Sequence, residues 1–169
     1  NFFRRNQFRY DVIFVDGLHH WEQCYRDIQN AINCLNDGGY IAVDDCAPRK
    51  KAHQTRKPSD INWTGDVWKA WIKAEKDYGD RFNFYLCDIE FGIGIITPKD
   101  EKGYRKYPVP PKGAGWEWFK TIRNDIVLSW EETAKKLNVP RGTSEKRKVF
   151  KRFNSNPRDI PSLGPCRLT

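Results

Sequence analysis

Asp11-Val-Ile-Phe-Val-Asp16-Gly17-Leu-His19-His20 and, one helix further on, Gly38-Gly39-Tyr-Ile-Ala-Val-Asp44-Asp45 are two apolar runs that both end in carboxylates. Each reads as a buried parallel strand that delivers acidic side chains to its C-terminal end, the edge at which open α/β sheets bind ligands. Between them, Trp21, Cys24, Tyr25, Ile28, Ala31, Ile32 and Leu35 recur at spacings of three and four, with Glu22, Gln23, Arg26, Asp27, Asn30 and Asn33 on the other side. That pattern is an amphipathic helix, which Asn36-Asp37-Gly38-Gly39 ends. Strand, crossover helix and strand make a βαβ unit, whose nearly invariant right hand places both strand ends on one edge of the sheet. Asp16 and the Asp44/Asp45 pair are therefore expected to be neighbours in space.

Downstream, Cys46-Ala-Pro-Arg-Lys-Lys-Ala-His-Gln-Thr-Arg-Lys-Pro-Ser-Asp is too long for a simple connection and reads as a lid or substrate loop. A second helix is expected from Gly65 to Tyr78, with Val67, Trp68, Trp71 and Ile72 on its apolar face. Arg81–Asp88 alternates as a strand does, and Phe91–Thr97 is a second apolar run close enough to pair with it as an antiparallel hairpin. Pro108, Pro110, Pro111 and Gly113 mark a linker, and Trp116, Phe119, Ile122, Ile126, Val127 and Trp130 predict one last helix from Trp116 to Leu137, ending before Pro140. The expected organisation is a sheet domain over residues 1–103, a linker and helix over 104–140, and a basic, irregular tail over 141–169.

Composition sets outer bounds. The chain has 169 residues, enough for one domain with a real core. No run approaches the roughly 18 to 20 apolar residues of a membrane span, and Asn1-Phe-Phe-Arg-Arg lacks the layout of a signal peptide, so a cytoplasmic protein is expected. Cys24, Cys34, Cys46, Cys87 and Cys166 form no Cys-x-x-Cys pair and read as buried thiols. The absence of methionine, with Asn1 in first place, predicts an N-terminally truncated fragment. The net charge of +8 is unevenly spread, with 15 Lys/Arg against 6 Asp/Glu from Tyr104 onward. The stretch from Gly142 to Phe153 is the densest, and it is read as a solvated extension, with attraction to nucleic acid as the alternative.

Taken together, these segments resemble the second half of a class I S-adenosylmethionine-dependent methyltransferase. In that family the fourth strand often reads Asp-x-Ile-Phe-Ile-Asp-Gly-x-His, the next helix carries an Arg-Asp-Ile turn, and the fifth strand reads Gly-Gly-x-Ile before acidic residues. Here they stand as Asp11 to His19, Arg26-Asp27-Ile28 and Gly38 to Asp45; Gly65-Asp66-Val67-Trp68-Lys69 and Phe91-Gly92-Ile93-Gly94 look like stretches of one branch. The likeness covers roughly residues 8–98. It implies an α/β fold, the C-terminal half of a Rossmann-like methyltransferase sheet in the order β-α-β-α-β-β with a terminal antiparallel hairpin, followed by a helix and the basic tail. The family's glycine-rich cofactor loop and its ribose-binding acidic residue have no counterpart here, and Gly92-x-Gly94 lies within a strand and does not replace them.

Asp16, Asp44 and Asp45 offer hard oxygen donors, suited to magnesium, manganese or calcium more than to zinc. They match the positions at which metal-dependent O-methyltransferases of this fold carry metal-binding acidic residues, and His19 has the spacing of the general base in the macrolide-sugar type. The resemblance thus implies Asp16, Asp44 and Asp45 as ligands of a divalent metal, magnesium first, Asp16 also as a cofactor-facing residue, His19 as base, and S-adenosylmethionine as methyl donor to a small-molecule or sugar hydroxyl. The plainer readings are that Asp16 caps a helix, that one of Asp44 and Asp45 caps a turn, and that His19 bonds a backbone group. For His53 with Arg49, Lys50, Lys51, Arg56 and Lys57, a solvated loop is the plainer reading and an anionic substrate the sharper one. Trp63, Trp68 and Trp71 read as core. A non-catalytic member of the fold, kept as an interaction module, is the competing functional class.

Overall fold

A computed structural model describes residues 5–58, 62–99 and 107–138. The elements are β1 (Tyr10–Val15), α1 (Trp21–Asn33), β2 (Leu35–Val43), α2 (Val67–Tyr78), β3 (Phe82–Cys87), β4 (Ile93–Pro98), α3 (Trp116–Ile126), β5 (Val127–Leu128) and α4 (Trp130–Lys136), with a 3-10 turn at Lys51–Gln54. The sheet runs in the order β1-β2-β4-β3-β5. β1 and β2 are parallel, β4 is antiparallel to both β2 and β3, and β5 is parallel to β3. The expected βαβ unit and hairpin are both present, and the carboxyl ends of β1, β2 and β3 share one edge.

Alternation along the strands sorts side chains onto two faces. Val15, Ile41, Val43, Ile96, Phe84 and Leu86 share a core with Ile28 and Ile32 of α1, Trp68, Trp71 and Ile72 of α2, and Phe119, Ile122 and Ile126 of α3. The opposite face holds a smaller cluster of Tyr85, Ile93 and Ile95, joined by Ala42, Leu128 and Leu137. That covering stops at Ala42. On the same face Val12 and Phe14 of β1 stay 69% and 53% exposed, so among the described residues the β1 end of the sheet has one bare apolar face and an unpaired edge.

The structure departs from the sequence expectations in three places. β2 begins at Leu35, not Gly38: Tyr10 faces Leu35 while Val12 faces Tyr40, and a bulge containing Gly38 at φ 77° takes up the extra residues. The single helix predicted over Trp116–Leu137 is two helices separated by β5. Val127 and Leu128 are drawn into the sheet beside Leu86 and Cys87, and Ser129 restarts the helix with a capping box, its hydroxyl accepting from Glu132 N and its own N–H donating to the Glu132 carboxylate. Thirdly, Cys24, Cys46 and Cys87 are buried as expected, but Cys34 is partly exposed. The basic stretch from Gly142 to Phe153 and Cys166 lie outside the described residues, as does everything from residue 139 onward. Among the described residues no helix is long and apolar enough to cross a membrane.

Trp71 packs closely against β4 where Gly94 leaves room for it. A Cβ at Gly94 would stand 2.3 Å from Trp71 Cζ3, in the fully buried centre of the core. Gly94→Ala is therefore expected to lower stability by about 1–3 kcal/mol, as overpacked cores do; urea unfolding followed by tryptophan fluorescence checks it, and an unchanged midpoint would contradict this packing.

Candidate active site at the carboxyl edge of the sheet

β1 and β2 run side by side in register at their ends, Val15 facing Val43, and Asp44 N donates to Val15 O at 3.0 Å. The residues that follow each strand are thereby neighbours. Asp45 then takes φ 61°, the left-handed region that a non-glycine residue occupies at some cost in free energy. This turn aims its carboxylate at His19: Asp45 Oδ2 lies 3.0 Å from His19 Nδ1, and Asp16 Oδ1 lies 3.4 Å from His19 Nε2. Asp16, His19 and Asp45 each offer a ligand atom within 4.8 Å of the others, a grouping able to hold a metal ion. Asp44 is not in this group. Its Oδ1 accepts the Asp45 backbone N–H at 2.8 Å, the turn-capping role weighed for one member of the pair.

His19 is held from three sides. Its ring stacks on Trp63 with centroids 4.9 Å apart and planes 21° apart, and Nδ1 donates to Trp63 O at 3.1 Å. A carbonyl can only accept, so this bond places the proton of the neutral ring on Nδ1 and leaves the lone pair on Nε2. From below, Gly65 sits at φ 57° directly against the His19 carbonyl, where a Cβ would come within 1.7 Å of that oxygen. Asp66 N donates to the same carbonyl at 3.1 Å.

Asp66 is the residue that sequence reasoning passed over. Buried to 1% exposure, its Oδ1 accepts Trp21 N at 2.9 Å and so caps α1 from a distant segment, because His20 at the N-cap position gives no side-chain cap. Its Oδ2 meets Arg56 Nη1 and Lys69 Nζ, each at 3.1 Å. Arg56 also pairs with Glu22, and its carbonyl accepts from His20 Nε2 at 2.9 Å. These bonds tie the loop after β2 over the start of α1, which gives Arg56 a structural task. His53 is buried against Phe91, not displayed by the loop. Trp68 and Trp71 are core, but Trp63 is part of the site wall, a correction of its expected place. The available signal was Gly65-Asp66 itself, a left-handed turn and a capping residue just ahead of a helix.

The electrostatics follow from this crowding. Burial, then the charge of Asp44, pushes the Asp45 carboxyl up to about 7, and burial also raises Asp44. The Asp16 hydrogen bond, aided by the Asp45 charge and the Trp63 carbonyl, raises the His19 imidazole above its usual 6.5 against the opposing effect of burial. Both shifts mean that the folded state binds protons more tightly than the unfolded chain. The Asp45 contribution to stability is thus greatest at low pH and falls as pH rises from the ordinary 3.8 toward 7. In metal-free protein the advantage of wild type over Asp45→Asn is expected to shrink across that interval, measured by urea unfolding at each pH. Histidine NMR should place the His19 midpoint above 6.5, with a lower value in Asp16→Asn.

Residues 2–46 match the family profile described as a methyltransferase domain, a segment that includes β1, α1 and β2 with Asp16, His19, Asp44 and Asp45. Among solved structures, the chain is similar to the SAH-bound methyltransferase PaMTH1 of Podospora anserina, with 20% identity and a TM-score of 0.42, over 59% of this chain and 46% of that one. The chain thus spans less than half the length of that protein. No curated protein gives a significant match. Residues 2–46 are thus similar to a methyltransferase domain, in line with the resemblance that Asp11–His19 and Gly38–Asp45 carry.

Proposed function

We propose that the chain supplies the acceptor-activating part of an S-adenosylmethionine-dependent O-methyltransferase, with a divalent cation held by Asp16 and Asp45 and His19 as general base. The observation that carries this reading is the convergence of Asp16, His19 and Asp45 within 4.8 Å at the carboxyl edge of the sheet. The donor set suits magnesium or manganese, being mainly hard oxygen. The site also favours a cation on its own account: Asp45 is buried beside Asp44, where negative charge is poorly solvated and a cation relieves it. When bound, such an ion stabilises negative charge on a nearby hydroxyl and makes it more acidic.

The chain's own part is proton handling and positioning. Trp63 O holds the Nδ1 proton, so Nε2 is the atom that receives the acceptor's proton. The stacked indole of Trp63 shields one face of the imidazole from water. S-adenosylmethionine, when bound, would supply the methyl group to the acceptor oxygen and leave as S-adenosylhomocysteine, and His19 would take the proton that the acceptor hydroxyl gives up. Alignment to about 3–3.5 Å between oxygen and carbon accounts for much of the acceleration expected of such a site. Asp16, just past the end of β1, is the residue that would serve both the cation and the cofactor in this reading. A small-molecule or sugar hydroxyl is the acceptor class, on the resemblance of Asp16, His19 and the Asp44/Asp45 pair to the metal-dependent branch.

Calorimetric titration with magnesium and with manganese above pH 7, where Asp45 is ionised, tests the cation. Asp16→Ala and Asp45→Ala should each weaken binding by about tenfold or more, as loss of one charged ligand implies. Asp44→Ala should weaken it less, since Asp44 acts through its charge and its backbone hydrogen bond. His19→Gln should leave affinity within a few-fold of wild type if the ring is a base; a loss equal to that of Asp45→Ala would make His19 a ligand instead. Unaltered affinity in both Asp16→Ala and Asp45→Ala would reject the metal site.

A further inference from the structure

A cleft lies beside the carboxyl ends of β2 and β3. Arg49, Asp88, Trp116, Lys120, Arg123 and Asn124 line a cleft of about 500 Å³, within the range of small-molecule sites. Three lining residues are cations and one is an anion. Trp116, Lys120, Arg123 and Asn124 are spaced by four, three and one along α3, so a single helix face supplies most of the wall. Arg49 comes from the segment after β2, and Asp88 from the first position after β3.

The frame of this cleft is built in advance. Cys46 N donates to Gly92 O at 2.9 Å and Ala47 N to Phe91 O at 2.6 Å, while Arg123 Nε donates to Pro48 O at 3.3 Å. Gly92, at φ 93°, lies so close to Ala47 that a Cβ there would come within 2.3 Å of the alanine methyl. Asp88 N donates to Leu128 O at 2.8 Å, which fixes the start of the turn after β3. The charges, by contrast, are loosely matched. A single oxygen, Asp88 Oδ1, faces both Arg49 Nη2 at 3.7 Å and Arg123 Nη2 at 3.5 Å, longer than a well-formed N–H···O bond. Lys120 enters no ion pair among the described residues. Two forked guanidiniums thus share one carboxylate oxygen while the Lys120 ammonium has no ion pair among the described residues, so the cleft lining carries more N–H donors than its one carboxylate satisfies, beside an indole.

We propose that this cleft is an oxyanion receptor that takes the phosphate or carboxylate group of a small aromatic or heterocyclic molecule, with Arg49, Lys120 and Arg123 holding the anion and Trp116 packing against the ring. Bidentate guanidinium geometry recognises planar or tetrahedral oxyanions better than a point charge does, and an indole face favours a flat group next to it. Arg49 follows Asp45 by four residues, so their Cα atoms are at most about 14 Å apart. Resting on the function proposed above, that span makes the bound molecule an acidic methyl acceptor, anchored by its anion while its hydroxyl reaches Asp45 and His19.

The test uses inorganic phosphate and phenyl phosphate as probes, titrated into the full chain at constant ionic strength and followed by calorimetry and by arginine side-chain NMR. Saturable phosphate binding is expected, tighter for phenyl phosphate, with shifts of the Arg49 and Arg123 resonances. Lys120→Gln and Arg49→Gln, both at exposed positions, should each weaken phenyl phosphate about tenfold. Trp116→Leu should bring phenyl phosphate to the affinity of inorganic phosphate. Phosphate binding that is absent, or unaltered in Lys120→Gln and Arg49→Gln, would overturn the receptor. Asp45→Ala separates the two proposals: phosphate binding retained while cation binding is lost shows the receptor standing without the metal site. Cation binding retained with no phosphate binding overturns the receptor alone.

Discussion

The parallel pairing of β1 with β2 is the constraint on which the rest of the structure depends. Five residues of each strand's end would mean little as sequence, but Val15 facing Val43 makes the next residue of each chain segment a neighbour of the other. Every polar feature of the site then follows from what stands one or a few positions past the pair. A slip of one residue would turn Ile13 and Val15 away from α1 and carry Asp16 to the other face. The apolar stripe of α1 guards against that slip, because Ile28 and Ile32 pack only on the face that Val15, Ile41 and Val43 present.

Around this pair the chain uses buried polar bonds to hold the site rigid. Asp66 joins the start of α1, the loop after β2 and the first turn of α2 through one carboxylate that is almost wholly enclosed. Gly65 allows that junction to press against His19, and Trp63 supplies both a stacking surface and a carbonyl. His19 is thus confined by backbone and ring contacts, while its charge state answers to Asp16 and Asp45. Rigid placement and adjustable protonation come from different neighbours.

Periodicity made much of the fold legible. The spacing of Trp21, Cys24, Ile28 and Ile32, and the alternation after Arg81, depend on local burial that any packing of these segments must respect. The last helix misled for the opposite reason. Val127 and Leu128 continue a helical spacing, yet a place beside β3 gives their backbone groups sheet partners, and Ser129 with Glu132 makes a fresh helix start inexpensive. The Ser129-x-x-Glu132 pattern stands in the chain, but the apolar spacing runs through it without a break. Trp63 and Asp66 were harder still, since what they do depends on segments more than forty residues away in sequence for His19–Trp63 and Trp21–Asp66 contacts.

The amino-acid sequence by itself determined the βαβ unit, the hairpin, the carboxylate-tipped strands and the methyltransferase likeness, because hydrophobic period and strand-end chemistry are properties of short segments. Tertiary structure alone decided which carboxylates meet. Asp44 and Asp45 are equivalent as sequence, but one caps a backbone N–H and the other, turned through a left-handed residue, faces His19. It also decided which aromatic ring stacks on His19 and how the cations are paired, since Arg56 meets Glu22 and Asp66 while Arg49 shares Asp88 with Arg123. Those outcomes rest on distances between elements that no local pattern encodes.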